Sequence, residues 1–143
     1  MLRERIACAY PGTKTVGLSL WVLEDRKVVA VAVGSAEMSA VEGYFERFDP
    51  ETLVIEAGRQ VGVPCAPFRA SSRNLNIVHP GWVQGRLRSG VQNRMGVLAH
   101  NAWKIGYHHI VRRGRNRIGV FRPEVLTLEW LNAHSPPRRP REA

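Results

Sequence analysis

A carboxylate and a phenol follow two short apolar stretches, and they are the first side chains that could do chemistry. Glu56 closes the run Leu53–Ile55, and Tyr10 follows the run Ile6–Ala9. Ligands of open α/β sheets bind at the carboxyl ends of parallel strands, so both residues are expected at one edge of such a sheet. Hard cations such as Mg²⁺ take carboxylate oxygens as ligands, and a phenol is a poor substitute.

Hydrophobic patterning predicts the elements that place these two residues. Three strands joined by tight turns come first, and a helix then leads to a fourth strand. The predicted strands are Ile6–Ala9, Val16–Leu23, Lys27–Val33 and Leu53–Glu56, and the predicted helix is Ala36–Phe48 with Ser35 as its N-cap. Because a helix crosses between the first and fourth strands, we expect these two strands to be parallel. The fold class is therefore α/β, with a mixed sheet that starts as three antiparallel strands, continues with parallel ones and is flanked by helices.

The second half of the chain is predicted to complete the same domain. A loop over residues 58–74 leads to a strand, a long amphipathic helix, another strand and a short helix. Their predicted bounds are Leu75–Pro80, Val91–Arg113, Arg117–Phe121 and Pro123–Ala133. We expect a single domain over residues 1–134 and a disordered basic Pro/Arg tail over residues 135–143.

Charge is unevenly distributed along the chain. Residues 1–68 carry seven basic and nine acidic side chains, a net charge of −2, whereas residues 69–143 carry fourteen and three, a net charge of +11. Eighteen of the 21 basic residues are arginine, whose planar guanidinium suits phosphate and stacks on bases. A basic protein with this asymmetry is expected to bind a polyanion, and the aromatic residues Trp82, Trp103 and Tyr107 among the cations favour nucleic acid.

The chain resembles the RuvC-type Holliday junction resolvases of the ribonuclease H-like superfamily. The resemblance depends on the turn Tyr10-Pro11-Gly12 with Gly17, the strand ending at Glu56, the stretch Val78-His79-Pro80 and the helix Gly96–His109. It implies four acidic groups that bind two Mg²⁺ ions and cut a DNA phosphodiester. Those four positions fall on Tyr10, Glu56, Leu98 and Asn101, so Glu56 is the one acid retained. No Asp or Glu lies between Glu56 and Glu124, so no shift of alignment puts a carboxylate on the late helix.

The favoured hypothesis is a RuvC-like pseudo-nuclease that binds branched or single-stranded DNA without cutting it and needs no cofactor. The candidate catalytic position is Glu56. The candidate nucleic-acid-binding residues are Lys14, Arg59, Arg69, Arg73, Arg86, Arg88, Arg94, Lys104, Arg112 and Arg113.

Two other functions stay open. A junction-resolving endonuclease with an unorthodox site would use Glu56 with Mg²⁺ or Mn²⁺, and one version pairs Glu56 with His100 around a single ion. This reading predicts that Glu56→Gln abolishes cutting. A protein–protein adaptor or inhibitor on the same fold would use the basic half for an acidic partner. That reading predicts no binding of DNA or RNA at low salt.

Composition sets the broad class. A hydrophobic fraction of 44% and a charged fraction of 23% are typical of a soluble globular protein. No apolar run approaches the ~20 residues that span a bilayer, and the first residues do not resemble a signal peptide. We therefore expect a cytoplasmic protein without membrane contact, and leave a viral source and a homodimer open. Cys8 and Cys65 are too few for a disulfide framework or a zinc site.

Overall fold

A six-stranded sheet forms the centre of the structure, a computed structural model. The structure describes residues 2–12, 14–56, 75–78, 91–111 and 122–137, and for residues 56, 75–78 and 91–95 it describes the backbone. The strands are β1 (Arg3–Pro11), β2 (Thr15–Glu24), β3 (Lys27–Glu37), β4 (Thr52–Glu56), β5 (Leu75–Val78) and β6 (Glu124–Val125). The helices are α1 (Met38–Phe48), α2 (Val91–Gly106) and α3 (Leu128–His134), and a π-helical turn, Tyr107–Val111, continues α2.

The sheet has the mixed topology that the sequence predicts. Its strand order is β5-β4-β1-β2-β3-β6. The pairs β1–β2 and β2–β3 are antiparallel, and β4 is parallel to β1 on one side and to β5 on the other. The α/β fold class is therefore confirmed. On the other edge, β6 lies parallel to β3, an addition that the sequence pattern did not predict.

Each face of the sheet has its own core. On one face, Ala7 and Ala9 of β1 belong to the cluster that includes residues of α1 and α3. On the other face, Ile6 and Cys8 belong to the cluster that includes residues of α2 and the π-helical turn. Because both faces are covered, β2 is buried from residue 16 to residue 23, which explains its nearly continuous apolar sequence.

The first helix begins two residues later than predicted. Ser35 lies within β3 and is not the N-cap, because β3 keeps its pairing with β2 as far as Glu37. Glu37 is the N-cap and makes no side-chain capping hydrogen bond, and the Met38 N–H donates to the carbonyl of Lys14. At the other end, Asp49 adopts the left-handed conformation and its N–H donates to the carbonyl of Phe45, as expected where Pro50 prevents the helix from continuing.

The last helix is shorter than the predicted Pro123–Ala133. Its predicted first turn is instead β6, and the Leu126 N–H donates to the Val33 carbonyl of β3 at 2.8 Å. The helix begins after Thr127, whose hydroxyl accepts a hydrogen bond from the Trp130 N–H. Residues 124–126 therefore bond to the edge strand β3, although their sequence also fits a helical periodicity.

Other predicted segments are described only in part. The predicted strand Leu75–Pro80 is present as Leu75–Val78, and the loop 58–74 and the predicted strand Arg117–Phe121 lie outside the described residues. Residues 138–143 of the predicted tail also lie outside them. Its first residues are described, and the Pro136 carbonyl accepts a hydrogen bond from Arg47 Nη1 at 3.2 Å. None of the described helices is long and apolar enough to cross a bilayer.

Candidate functional site at the strand ends

Tyr10 and Glu56 end neighbouring parallel strands. Ala9 of β1 pairs with Ile55 of β4, and the two candidate residues come directly after this pair. On its other side, Tyr10 pairs with Gly17 of β2. The backbone thus brings the position of the first expected acid beside the one acid that the sequence retains.

The helix α2 is held against β2 by backbone contact at one end. A Cβ atom added at Gly17 would overlap the carbonyl group of Leu98, so glycine is required for this approach. A Cβ atom at Gly12 would lie 3.0 Å from Leu98 Cδ1. The Leu98 side chain therefore reaches the turn between β1 and β2, next to the strand ends.

Two further contacts continue along the same strand. Ser19 Oγ donates to the Ala102 carbonyl at 2.9 Å and accepts from Trp21 Nε1 at 2.8 Å. A Cβ atom at Gly106 would overlap the Trp21 indole. From Leu98 to Gly106 a helix rises about 12 Å, and from Gly17 to Trp21 a strand rises about 13 Å. Because the two lengths match, the three contacts follow one another along both α2 and β2.

The side chains at the remaining expected acid positions are now placed. Tyr10 is half-buried and packs against the core on the α2 side of the sheet. Leu98 is half-buried at the β1–β2 turn, and Asn101 lies three residues later on α2, also half-buried. Of these side chains, Tyr10 ends β1 and Leu98 reaches the β1–β2 turn beside it.

The search for similar proteins gave structural likeness without sequence likeness. No protein-family model and no curated protein matches the sequence. Among solved structures, that of Thermus thermophilus RuvC superposes with a TM-score of 0.52 over 77% of this chain and 96% of that chain, at 16% sequence identity. The fold is ribonuclease H-like, of the RuvC kind. At this identity the likeness establishes the fold alone.

The side chains at the strand ends do not suit the pair of Mg²⁺ ions that the RuvC resemblance implies. Two adjacent hard cations need several anionic oxygens to replace lost water and to offset their mutual repulsion. Tyr10, Leu98 and Asn101 supply no carboxylate. Within the described part of the chain, no three His, Cys, Asp or Glu side chains gather in a group that could hold a metal ion.

His100 points away from the strand ends. Residues two apart on a helix are separated by about 200°, so His100 and Leu98 lie on opposite sides of α2. His100 is 1% exposed, and no described residue hydrogen-bonds either of its ring nitrogens. Burial and, secondarily, the neighbouring Lys104 lower the pKa of this imidazole. His100 is therefore a buried imidazole on the side of α2 opposite Leu98, and its pairing with Glu56 around a single ion stays a prediction.

Cys8 and Trp103 are core residues as well. Burial raises the pKa of the Cys8 thiol to about 12, against a smaller opposing effect of a hydrogen bond with Ser19, so the reactive thiolate is suppressed. The Trp103 ring stacks on Trp21 with centroids 4.9 Å apart and planes 2° apart, and Trp103 is 6% exposed. Its indole therefore stabilises the α2–β2 contact and does not present a face for base stacking.

The structure describes a minority of the candidate basic residues. Lys14 is exposed beside the strand ends, Lys104 is half-buried on α2, and the backbone of Arg94 lies in the first turn of α2. The candidates Arg59, Arg69, Arg73, Arg86, Arg88, Arg112 and Arg113 lie outside the described residues.

Sequence reasoning missed an open groove between α1 and α3. It is lined by residues that include Gly43, Tyr44, Leu128 and Leu131. The sequence carries a local signal on the α1 side alone, a glycine inside a helix, which destabilises the helix and needs a reason.

Proposed function

We propose that the protein binds nucleic acid, preferentially branched or single-stranded DNA, and does not cut it. The observation that carries this proposal is the set of side chains at the strand ends. On a RuvC-like fold, the positions of three of the four acids hold Tyr10, Leu98 and Asn101, and Leu98 packs against the β1–β2 turn. A two-metal phosphodiester cleavage has no ligand set there, so no step through Mg²⁺ is assigned to this chain.

The binding half of the proposal is supported by charge. The chain has a net charge of +9, and residues 57–123 contain no acid. Phosphate contacts by Lys and Arg release counterions and dominate the affinity of such proteins for nucleic acid. Lys14 lies exposed at the same end of the sheet as Tyr10, so one described cation already borders the strand ends.

The test is a set of gel titrations with labelled four-way junction, duplex and single strand. Each DNA is incubated with the protein at two salt concentrations, with Mg²⁺, with Mn²⁺ and with EDTA, and a RuvC-type resolvase serves as the cleaving control. We expect junction or single-strand binding that weakens steeply with salt, and no cleavage with either metal. Symmetric metal-dependent nicks would overturn the proposal, and their loss in Glu56→Gln would assign them to this site.

Absence of binding to every DNA and RNA at low salt is the other contradictory outcome. It would favour a protein partner, the adaptor function that the sequence leaves open. The two parts of the proposal are therefore tested separately. Nicks would contradict the absence of cleavage, and lack of binding would contradict the binding of nucleic acid.

A further inference from the structure

The groove between α1 and α3 lies on the face of the sheet opposite α2. It encloses about 600 Å³, within the range of ordinary ligand sites. From α1 it is lined by Gly43, Tyr44 and Arg47, and from α3 by Leu128, Leu131 and Asn132. Leu131 and the core beneath it are buried, so the floor of the groove is fixed.

The groove is open, and its lining combines apolar and polar side chains. Leu128 is 70% exposed, and Val125, just before it on β6, is 63% exposed. A Cβ atom added at Gly43 would meet nothing within 4 Å, so the α1 side of the groove has free space at its centre. Leu128 lines this space, so its exposed side chain offers apolar contact surface to a partner.

The exposed charges on the two helices that form the groove favour a cationic partner. The exposed charged residues of α1 and α3 are Glu42, Glu46 and Glu129, all acidic, in a protein of net charge +9. Glu46 is one turn after Gly43 and therefore its neighbour on the helix surface. Arg47 is half-buried, and its guanidinium donates to Asn132 Oδ1 and to the Pro136 carbonyl, both at 3.2 Å.

We propose that this groove binds the chain's own proline- and arginine-rich segment that follows Pro136. Prolines restrict such a segment to an extended polyproline II helix, which docks in apolar, aromatic-containing grooves at low entropic cost. Tyr44 and Leu128 offer the apolar surface, and the exposed carboxylates of α1 can pair with arginines. The chain carries this chemistry itself, as Pro136-Pro137-Arg138-Arg139-Pro140-Arg141.

The position of Pro136 supports the proposal. Its carbonyl is held by Arg47 at one end of the groove. A polyproline II segment advances about 3.1 Å per residue, so the three steps from Pro137 to Pro140 cover about 9 Å. The residues that α1 contributes to the groove run from Ala40 to Arg47, over which the helix rises about 10 Å. The segment from Pro137 to Pro140 is therefore about as long as the groove.

The test is fluorescence anisotropy with a labelled synthetic peptide of residues 135–143. Because the chain's own segment competes, the main protein is the full-length variant Arg138→Gln/Arg139→Gln/Arg141→Gln. We expect saturable binding, at least 10-fold weaker when Gly43→Leu fills the groove. Ser39→Leu is the matched control, since Ser39 is exposed on α1 and does not line the groove, and its affinity is expected to change less than 2-fold.

A charge variant completes the design. Glu42→Gln/Glu46→Gln is expected to weaken binding several-fold and to reduce its dependence on salt. Thermal unfolding of Gly43→Leu checks that the fold is kept, because leucine is the better helix former. Equal binding by Gly43→Leu and Ser39→Leu would overturn the proposal. No binding to the arginine-neutralised chain at millimolar peptide would overturn it as well.

Discussion

Arg5 holds the beginning of the sheet against the end of the first helix. Its Nε donates to the carbonyls of Phe48 and Asp49 at 2.9 and 3.1 Å, and its Nη2 lies 3.1 Å from Glu51 Oε1. The guanidinium thus caps carbonyls that the helix leaves unpaired and interacts favourably with the negative end of the helix dipole. The Arg5 side chain is 13% exposed, so the bond to the Phe48 carbonyl is partly shielded from water, whereas the bond to the Asp49 carbonyl is exposed.

The substitution Arg5→Met should lower the free energy of unfolding by about 2 kcal/mol, because it removes charge-assisted hydrogen bonds and leaves carbonyls without a partner. Urea denaturation followed by tryptophan fluorescence measures the change. Arg3→Met is the control. Arg3 Nε lies 3.8 Å from Glu24 Oε2, and the two side chains are 47% and 30% exposed. Exposed pairs of this kind contribute little, so the control should lose less than about 1 kcal/mol. Equal losses in the two variants would contradict the capping role of Arg5.

His100 should make stability depend on pH. Burial first, and Lys104 second, lower the pKa of this group in the folded protein from the usual 6.5, so the unfolded chain binds the proton more readily. Stability from this group is complete above the unfolded pKa and declines as the pH falls below 6.5, by at most about 1.4 kcal/mol per pH unit. In His100→Leu, thermal unfolding between pH 5 and 8 should show a flatter profile than in the unaltered protein. The same slope in both proteins would show that His100 does not titrate on unfolding in this range.

Residues differ in how far the sequence could reveal them. Tyr10 and Glu56 could be placed together because each follows an apolar run, and the ends of parallel strands meet at one edge. The cap by Arg5 could not be predicted, because its partners are 43 and 44 residues away and no local pattern connects them. The burial of His100 was also missed, since helical periodicity gives a face and not the depth of packing.

Among the elements, α2 and β2 approach each other so closely that an added methyl group at Gly17 does not fit between them. Gly17→Ala should destabilise the protein by about 2–3 kcal/mol, because the new methyl group overlaps the Leu98 carbonyl and backbone has to move. Gly43→Ala is a matched control with the same chemical change. At Gly43 nothing lies within 4 Å of the added methyl group, and alanine favours the helix, so a gain of about 0.5–1 kcal/mol is expected. Chemical denaturation of both variants gives the values. A loss in Gly17→Ala smaller than 1 kcal/mol would show that α2 can shift away from β2.

The elements that were predicted well have a strong local signal. The β-branched alternation of β3 and the long apolar run of β2 are such signals, and both strands are present. The two errors, Ser35 and residues 123–127, have a common cause. Ser35 pairs with β2, and residues 124 and 125 pair with β3, although both segments could also start a helix. Such pairing depends on which strand is the neighbour in the folded protein. Tertiary contact therefore moved both helix starts.

At the scale of the whole molecule, the sequence was informative on fold and on charge. The strand–turn–strand–strand–helix–strand order was sufficient to predict a ribonuclease H-like sheet. The RuvC resemblance implies acids on the late helix, and the sequence has no Asp or Glu between Glu56 and Glu124. The groove between α1 and α3 could not be predicted from the sequence. Its two helices are far apart in the chain, since α1 ends at Phe48 and α3 begins at Leu128, and no short sequence pattern shows that they pack together.

Two exposed lysines lie at opposite ends of the sheet. Lys14 is beside the strand ends in the β1–β2 turn, and Lys27 is at the far end, as the first residue of β3. If DNA binds at the strand ends, Lys14 contacts a phosphate and Lys27 does not. The slope of log K against log salt should then become less steep by about 1 in Lys14→Gln and stay unchanged in Lys27→Gln. Both variants remove one charge, so a nonspecific effect of net charge would change both slopes equally. That result would show that DNA is not bound at this end of the sheet.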